Sequence, residues 1–381
     1  MRIRLPLLKI TPKYRFLGLW VLCALMLASI LIGIIAGESD KAGEVTQAES
    51  TKPISMFPNC QPDTKNALPN WDDVKDQYEE IWQSHSGEMQ SPYFQGENGW
   101  IFWNDQIDQY ASQAVGRVSL SDTQVAAWTK YIRSLATNLE KEGITFYLII
   151  TPSTSSIYPE ELPRWMQEIR SKTSADKFME AARDLPVIDL RSHLIDSKSL
   201  RNEHLYSWSN SHWTDYGAAI AWQQIVSCVN SEIPNAGILQ NPPIENVQVI
   251  GDFNEWAGFG VVSNGEDWAK PTLGTEFVDQ TVVSTADIQV QSGLSTIDLT
   301  KLPVQTFSTT SWTGKSALIL RDSMGTALSP YWQQSYSPTW QKAFPWDSPL
   351  SEKEILRMAK EIKPQVVILQ MAERHLITVP E

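Results

Sequence analysis

A chain of 381 residues that is 42% apolar and 10% aromatic can bury a substantial core, which excludes global disorder. Its formal net charge of −13 leaves no general basic surface for neutralising phosphates, so nucleic acid is not an expected partner.

Phe16 to Gly37 contain no charged side chain and are long enough to cross a bilayer as a helix. Arg2, Arg4, Lys9, Lys13 and Arg15 precede the segment, and Glu38 and Asp40 follow it. The positive flank keeps residues 1–15 in the cytoplasm. The apolar run exceeds the roughly 7 to 15 residues of a cleavable signal peptide, so the sequence predicts an uncleaved single-pass anchor over 16–37. The chain is then expected at the inner (cytoplasmic) membrane, with its C-terminal part periplasmic or otherwise extracytoplasmic. Residues 38–64 are rich in Ser, Thr, Glu, Lys and Pro without apolar periodicity and read as a flexible tether. Of three cysteines, Cys23 lies in the anchor, which leaves Cys60 and Cys228 beyond it. They read either as one long-range disulfide or as two buried thiols.

Residues 65–381 form the folded domain, whose ordered part begins near Trp71. Ser121 and Gln124 form a capping box, after which Val125, Trp128, Ile132, Leu135 and Leu139 recur at helical spacing until Gly143. The apolar run Ile144 to Ile150 follows at strand length. The same helix-then-strand unit recurs as Ser174 to Asp184 with Val187 to Leu190. It recurs again as a helix capped by Ser351 and Glu354 and running to Ile362, with Val366 to Leu369. Uninterrupted apolar strands after helices predict an α/β fold: a three-layer αβα sandwich around a mainly parallel sheet. Residues 241–314 turn to Thr, Val, Gln and Gly with short alternations and predict a β-rich insertion packed on that sheet.

A further apolar strand, Ala317 to Leu320, leads into Arg321-Asp322-Ser323. A serine between a buried parallel strand and a helix sits at the sheet edge where open α/β folds hold ligands, and the helix dipole would favour an oxyanion there. The competing reading is that Asp322 and Ser323 only cap the helix. His212 precedes a second helix, expected from Thr214 to Cys228, and can serve as base to that serine. His85, His193, His204 and His375 read as structural. The His, Cys and carboxylate spacings carry no metal-ligand signature, and no cofactor motif is present.

Several motifs together carry a family resemblance. They are Gly96-Glu-Asn-Gly-Trp-Ile-Phe102, the run Thr151 to Pro163, Ser211-His212-Trp213 with Gly217-Ala218, Gly251-Asp252-Phe253, Arg321-Asp322-Ser323 and Glu373-Arg374. In this order they resemble the alginate O-acetyltransferase AlgJ/AlgX family over nearly the whole chain after the tether. The resemblance implies an SGNH-hydrolase-like domain in which Ser323 attacks an acetyl carbonyl, His212 accepts its proton, and acetyl passes to a polysaccharide hydroxyl. It also implies a polysaccharide acceptor and a membrane-bound acetyl-donating partner of the MBOAT type. Carbohydrate acetylesterase activity with the same residues, or a silent polysaccharide-binding scaffold in an export complex, are the alternatives.

The sequence departs from the family at the histidine motif, where Asn210 stands in place of an orienting Asp. The same change in a serine protease triad costs about four orders of magnitude because the imidazole adopts the wrong tautomer, yet cysteine proteases use Asn in this role. Three outcomes follow: Asn210 orients His212, Asp215 or another acid takes over, or the site is inactive. Arg321 replaces the Gly of the usual Gly-Asp-Ser block and either places a cation beside the acetyl oxyanion or a substrate carboxylate, or pairs with a neighbouring acid at the sheet edge. Tyr158 either lines the cleft or packs. The amide of Ser323 is the one oxyanion donor that can be nominated. Tryptophan is abundant, and most of it is expected in the core, with one or two rings left as sugar platforms.

Overall fold

The computed structural model describes Cys60 and residues 68–89, 91–229, 244–249, 266–272, 280–284, 288–291, 296–344 and 351–380. The expected anchor, the tether apart from Cys60, and the Gly251-Asp252-Phe253 motif lie outside these residues. Among the described residues no helix is long and apolar enough to cross a membrane.

In chain order the main elements are α1 (Trp71–Ser84), the hairpin β1 (Tyr93–Gln95) and β2 (Ile101–Trp103), α2 (Asp122–Lys141) and β3 (Thr145–Thr151). They continue with α3 (Ser174–Ala181), β4 (Val187–Asp189), α4 (Arg191–Ser197) and α5 (Asp215–Val229). The strands β5 (Ile244–Val249), β6 (Glu266–Pro271), β7 (Gln280–Ser284), β8 (Ile288–Gln291), β9 (Val304–Ser308) and β10 (Ala317–Arg321) come next. Last are α6 (Ser329–Ser335), β11 (Thr339–Ala343), α7 (Glu352–Ile362) and β12 (Val366–Ala372).

One sheet of eight strands runs β4-β3-β12-β10-β11-β9-β7-β8. Neighbours from β4 to β11 pair in parallel, whereas β9, β7 and β8 join antiparallel, so the sheet is mixed. Strands buried on both faces send alternate side chains into two cores. Tyr147, Ile149, Ile319 and Ile368 face one core with Ala218, Trp222 and Ile225 of α5. Phe146, Leu148, Leu320 and Leu369 face the other with Trp128, Ile132 and Leu135 of α2, Phe178 of α3 and Ile355 of α7. This is the expected three-layer arrangement.

The insertion differs from expectation in one respect. Among the described residues β5 and β6 form a separate two-stranded sheet, whereas β7, β8 and β9 extend the main sheet itself. The open antiparallel edge of β11 is the cause, because it exposes ladder groups that a β-rich segment can complete. Cys60 and Cys228 are joined by a disulfide with Cα atoms 5.4 Å apart, tying the start of the domain to the last turn of α5.

Candidate active site

The carboxyl ends of β3, β12 and β10 lie side by side, with Thr151 paired to Ala372 and Arg321 to Gln370. Three motifs separated by up to 220 residues therefore meet along one edge: the turn after Thr151, Glu373-Arg374 and Ser323. Glu373 is buried, and it fastens this edge by accepting from the Ser153 amide at 2.9 Å and Ser156 Oγ at 2.8 Å. Burial raises its carboxyl above the ordinary range, against the pull of Arg191 and those donors.

The histidine reaches the same edge from a short hairpin. Tyr206 and Trp213 form an antiparallel bridge, the Ser207 amide donates to His212 O at 3.3 Å, and the Thr214 amide donates to Leu205 O at 3.0 Å. Gly217 permits this approach, since a Cβ there would stand 2.0 Å from Leu205 O. The Trp213 indole then donates to Met324 O at 2.9 Å, docking the hairpin on the serine turn.

His212 Nε2 lies 2.9 Å from Ser323 Oγ, and His212 Nδ1 lies 2.8 Å from Asn210 Oδ1. Asn210 Oδ1 also accepts from the backbone amide of His212 at 3.0 Å. That second bond settles the direction of the first. A backbone N–H only donates, so the amide oxygen and not the amide nitrogen must face it. The same oxygen can then meet Nδ1 only if Nδ1 carries the proton, which leaves Nε2 as the acceptor facing the serine hydroxyl. The arrangement fits the tautomer with the proton on Nδ1, the one in which Nε2 can accept from the serine. Ser323, His212 and Asn210 are each half-buried.

The other nominated residues fall elsewhere. Asp215 sits in the first turn of α5 and accepts from the Trp268 indole at 2.8 Å, so its carboxylate latches the β5–β6 hairpin to the helix. Burial raises its pKa, opposed by that indole and Lys270. Arg321 is fully buried, with Nε donating to Gln341 Oε1 at 2.9 Å, Nη1 to Asp322 O and Thr326 Oγ1 at 3.2 Å, and Nη2 to Ile297 O. Burial brings it down to about 10, partly offset by Asp322 and Asp298, and it remains a cation committed to the frame of the turn. The Tyr158 hydroxyl accepts from the Leu205 amide at 3.0 Å, and its ring packs 4.6 Å from that of Trp100. Tyr158 is thus a packing residue; burial pushes its phenol up to about 12.

The helix expected directly after Ser323 is a four-residue 3₁₀ turn, Ser323–Thr326, followed by α6 with Pro330 in its first turn. A single turn has little dipole, so charge stabilisation falls to individual amides. The Ser323 amide begins the turn and has no acceptor within it. Asp322 caps the turn by accepting from the Met324 amide at 2.9 Å. Cap and candidate nucleophile thus coexist in adjacent residues. The residues not singled out from sequence are Gln370, which donates to Asp322 Oδ1 at 3.0 Å and Thr151 Oγ1 at 2.9 Å, and His375, read there as structural. Their one sequence signal is position, at and just past the end of an apolar strand.

A mixed α/β sheet with these motifs at its carboxyl edge is the architecture of SGNH-type domains. A family model described as an SGNH hydrolase-like domain, acetyltransferase AlgX, matches residues 94–372, and the chain belongs to that family. No curated protein sequence matches the chain. Among solved structures, the O-acetyltransferase domain of Pseudomonas putida AlgJ is 16% identical over 76% of this chain and 93% of its own, with a TM-score of 0.47. Bacillus cereus PatB1 is 17% identical over 73% of this chain and 95% of its own, with a TM-score of 0.49. Pseudomonas aeruginosa AlgX is 13% identical over 84% of this chain and 66% of its own, with a TM-score of 0.43. Membership therefore rests on the family model, and it makes the chain an acetyltransferase-type SGNH domain.

Proposed function

We propose that the chain is an O-acetyltransferase that places acetyl groups on hydroxyls of an exported or cell-surface polysaccharide. Ser323 is its nucleophile, His212 its base and Asn210 the residue that orients His212. The observation that supports the reading is the chain of contacts Asn210 Oδ1, His212 Nδ1, His212 Nε2, Ser323 Oγ.

Ser323 Oγ attacks the carbonyl of an acetyl donor while its proton passes to Nε2. The tetrahedral oxyanion is met by the Ser323 amide. Its collapse breaks the bond to the donor, whose oxygen leaves with the proton from Nε2, and acetyl-Ser323 remains. A sugar hydroxyl then gives its proton to Nε2 and attacks the acetyl-serine; the acetyl–Oγ bond breaks and Nε2 returns the proton to Ser323 Oγ. Asn210 holds the ring but adds no charge to the imidazolium, so each step is slower than with a carboxylate in that place.

In this reading residues 16–37 anchor the chain in the inner membrane, with the domain on the periplasmic or extracytoplasmic side. The Cys60–Cys228 disulfide supports that placement, because such bonds persist in oxidising compartments. An acetyl donor on that side of the membrane requires a membrane-bound supplier, for which an MBOAT-type partner is suited.

The test is to incubate the purified full-length protein with an activated acetyl ester and oligosaccharides of several polymers. Acetylated sugar should form with wild type and be lost, by about 10⁴-fold or more, in Ser323→Ala and His212→Ala. Free acetate alone would make the chain a carbohydrate acetylesterase. Polymer binding with no turnover in either assay would make it a scaffold.

A further inference from the structure

Behind Ser323 lies a buried charged cluster that the proton-transfer chain does not use. Asp322 is fully buried, and both carboxylate oxygens are engaged. Oδ1 accepts from the Met324 amide and Gln370 Nε2; Oδ2 accepts from the Ala372 amide at 2.6 Å. His375 Nδ1 stands 3.2 Å from Oδ2. His375 is itself buried, and its other nitrogen, Nε2, lies 3.9 Å from Asp108 Oδ2, which also faces Arg374 Nε at 3.3 Å.

The loop that delivers Asp108 is held in an uncommon conformation. Asp108 and Gln109 both have positive φ, at 52° and 53°, a region that non-glycine residues enter rarely. Gln113 Nε2 bonds both Asp108 O and Arg374 O, clamping this loop against the segment that carries His375.

We propose that His375 is a positioning residue for Ser323: set between Asp108 and Asp322, it fixes the carboxylate that caps the nucleophile turn and so aims the serine hydroxyl at His212. The proposal rests on the Ser323–His212 reading given above.

Two physical arguments support it. First, Asp322 immediately precedes the nucleophile and its carboxylate receives donors from the turn and from β12, so any rotation of that carboxylate moves Ser323 against the sheet. Displacements of about 1 Å cost up to about 10²-fold in rate. Second, a buried anion beside the site of a developing oxyanion opposes catalysis unless cations offset it. Arg321 donates to Asp322 O, and His375 and Arg374 favour the ionised Asp322 carboxylate from a segment outside the turn.

The amides of Asn and Gln separate the roles of the two ring nitrogens, since Asn Nδ2 takes the place of His Nδ1 and Gln Nε2 that of His Nε2. With the full-length protein and p-nitrophenyl acetate, His375→Gln should lower kcat about tenfold with KM changed by less than about twofold. His375→Asn should stay within about threefold of wild type, and both should melt in one cooperative transition. Asp108→Asn, at a partly exposed position that is safe for folding, should lower kcat about threefold with the same constant KM. The positioning role is overturned if His375→Gln keeps wild-type kcat, or if His375→Asn and His375→Gln lose it equally. If wild type releases no nitrophenol and Ser323 is not sulfonylated by phenylmethylsulfonyl fluoride, the Ser–His reading falls and the positioning role with it. Turnover in wild type that His375→Gln leaves intact overturns the positioning role alone.

Discussion

The two halves of the site are built in opposite ways. The histidine half is local: Asn210 and His212 are two residues apart, and the Tyr206–Trp213 bridge closes the hairpin over eight residues of sequence. The serine half is assembled from a distance, since Asp322 takes its donors from Gln370 and Ala372, 48 and 50 residues away, and Gln370 reaches on to Thr151. A local device keeps its geometry as long as the hairpin exists. A non-local one holds only while β3, β12 and β10 stay in register.

The largest effect that tests this contrast is on stability. Beyond the Trp213–Met324 bond and the sheet, the histidine half has a further distant tie in the disulfide, which closes a loop of 168 residues behind α5. Chain entropy assigns such a closure up to about 5 kcal/mol. Replacing Cys60 and Cys228 by Ser should lower the unfolding free energy by that order in a denaturant titration. The folded fraction should retain wild-type kcat; a fall in kcat would show that the hairpin is not self-sufficient. Next in size, Asn210→Ala removes the bond that orients His212 and should lower kcat about 10²-fold with KM unchanged, the equivalent of a hydrogen bond to a charged group. Asn210→Asp keeps the tautomer, because a carboxylate only accepts. It also stabilises the imidazolium, so kcat should rise and the acid limb of its pH profile should move to higher pH.

Asp322 gives the corresponding measurement for the serine half. Burial alone would raise its carboxyl, but His375, Arg374 and the Ala372 amide outweigh it and leave the group at about 2, below the ordinary 3.8. A lowered folded value stabilises the fold above the unfolded pKa, and the contribution fades as pH falls from about 4 to about 2. It amounts to about 2 kcal/mol. Glu373 and Asp215, raised by burial, act with the opposite sign. The contribution of Asp322 is therefore read as the difference between wild type and Asp322→Asn. That difference should shrink as urea midpoints are followed from pH 5 to pH 2, and a constant difference would show that the carboxylate is not held by its neighbours.

The same division decides what the sequence could reveal. The Ser121–Gln124 and Ser351–Glu354 caps are found where spacing places them, since their partners are three residues apart. The helix expected from Ser174 to Asp184 begins at Ser174, capped by Thr173 with Asp176, and ends at Ala181. Ser323 and His212 were legible because strand ends and helix starts are local patterns; their meeting was expected from two helix starts and strengthened by the family resemblance. The helix expected after Ser323 fails because Asp322 is pulled toward β12 and Pro330 starts a new helix. The cluster around Asp322 was illegible for the same reason that it matters: β12 reaches the nucleophile by sheet pairing, which no spacing encodes. His375 therefore looked like one more structural histidine.

The smallest predicted effect falls on the bond that joins the halves. The Trp213 indole is almost wholly buried and donates to Met324 O, so its N–H is the direct link from the hairpin to the turn. Trp213→Phe keeps much of the aromatic packing and removes the donor, leaving a buried carbonyl unpaired at a cost of about 1 kcal/mol. If the hairpin is self-sufficient and the sheet fixes the turn, this variant should lose that stability yet lower kcat by no more than about fivefold, with KM unchanged. A loss near that of Asn210→Ala would mean that the two halves are aligned by this single bond. Their separate construction would then matter less than the joint between them.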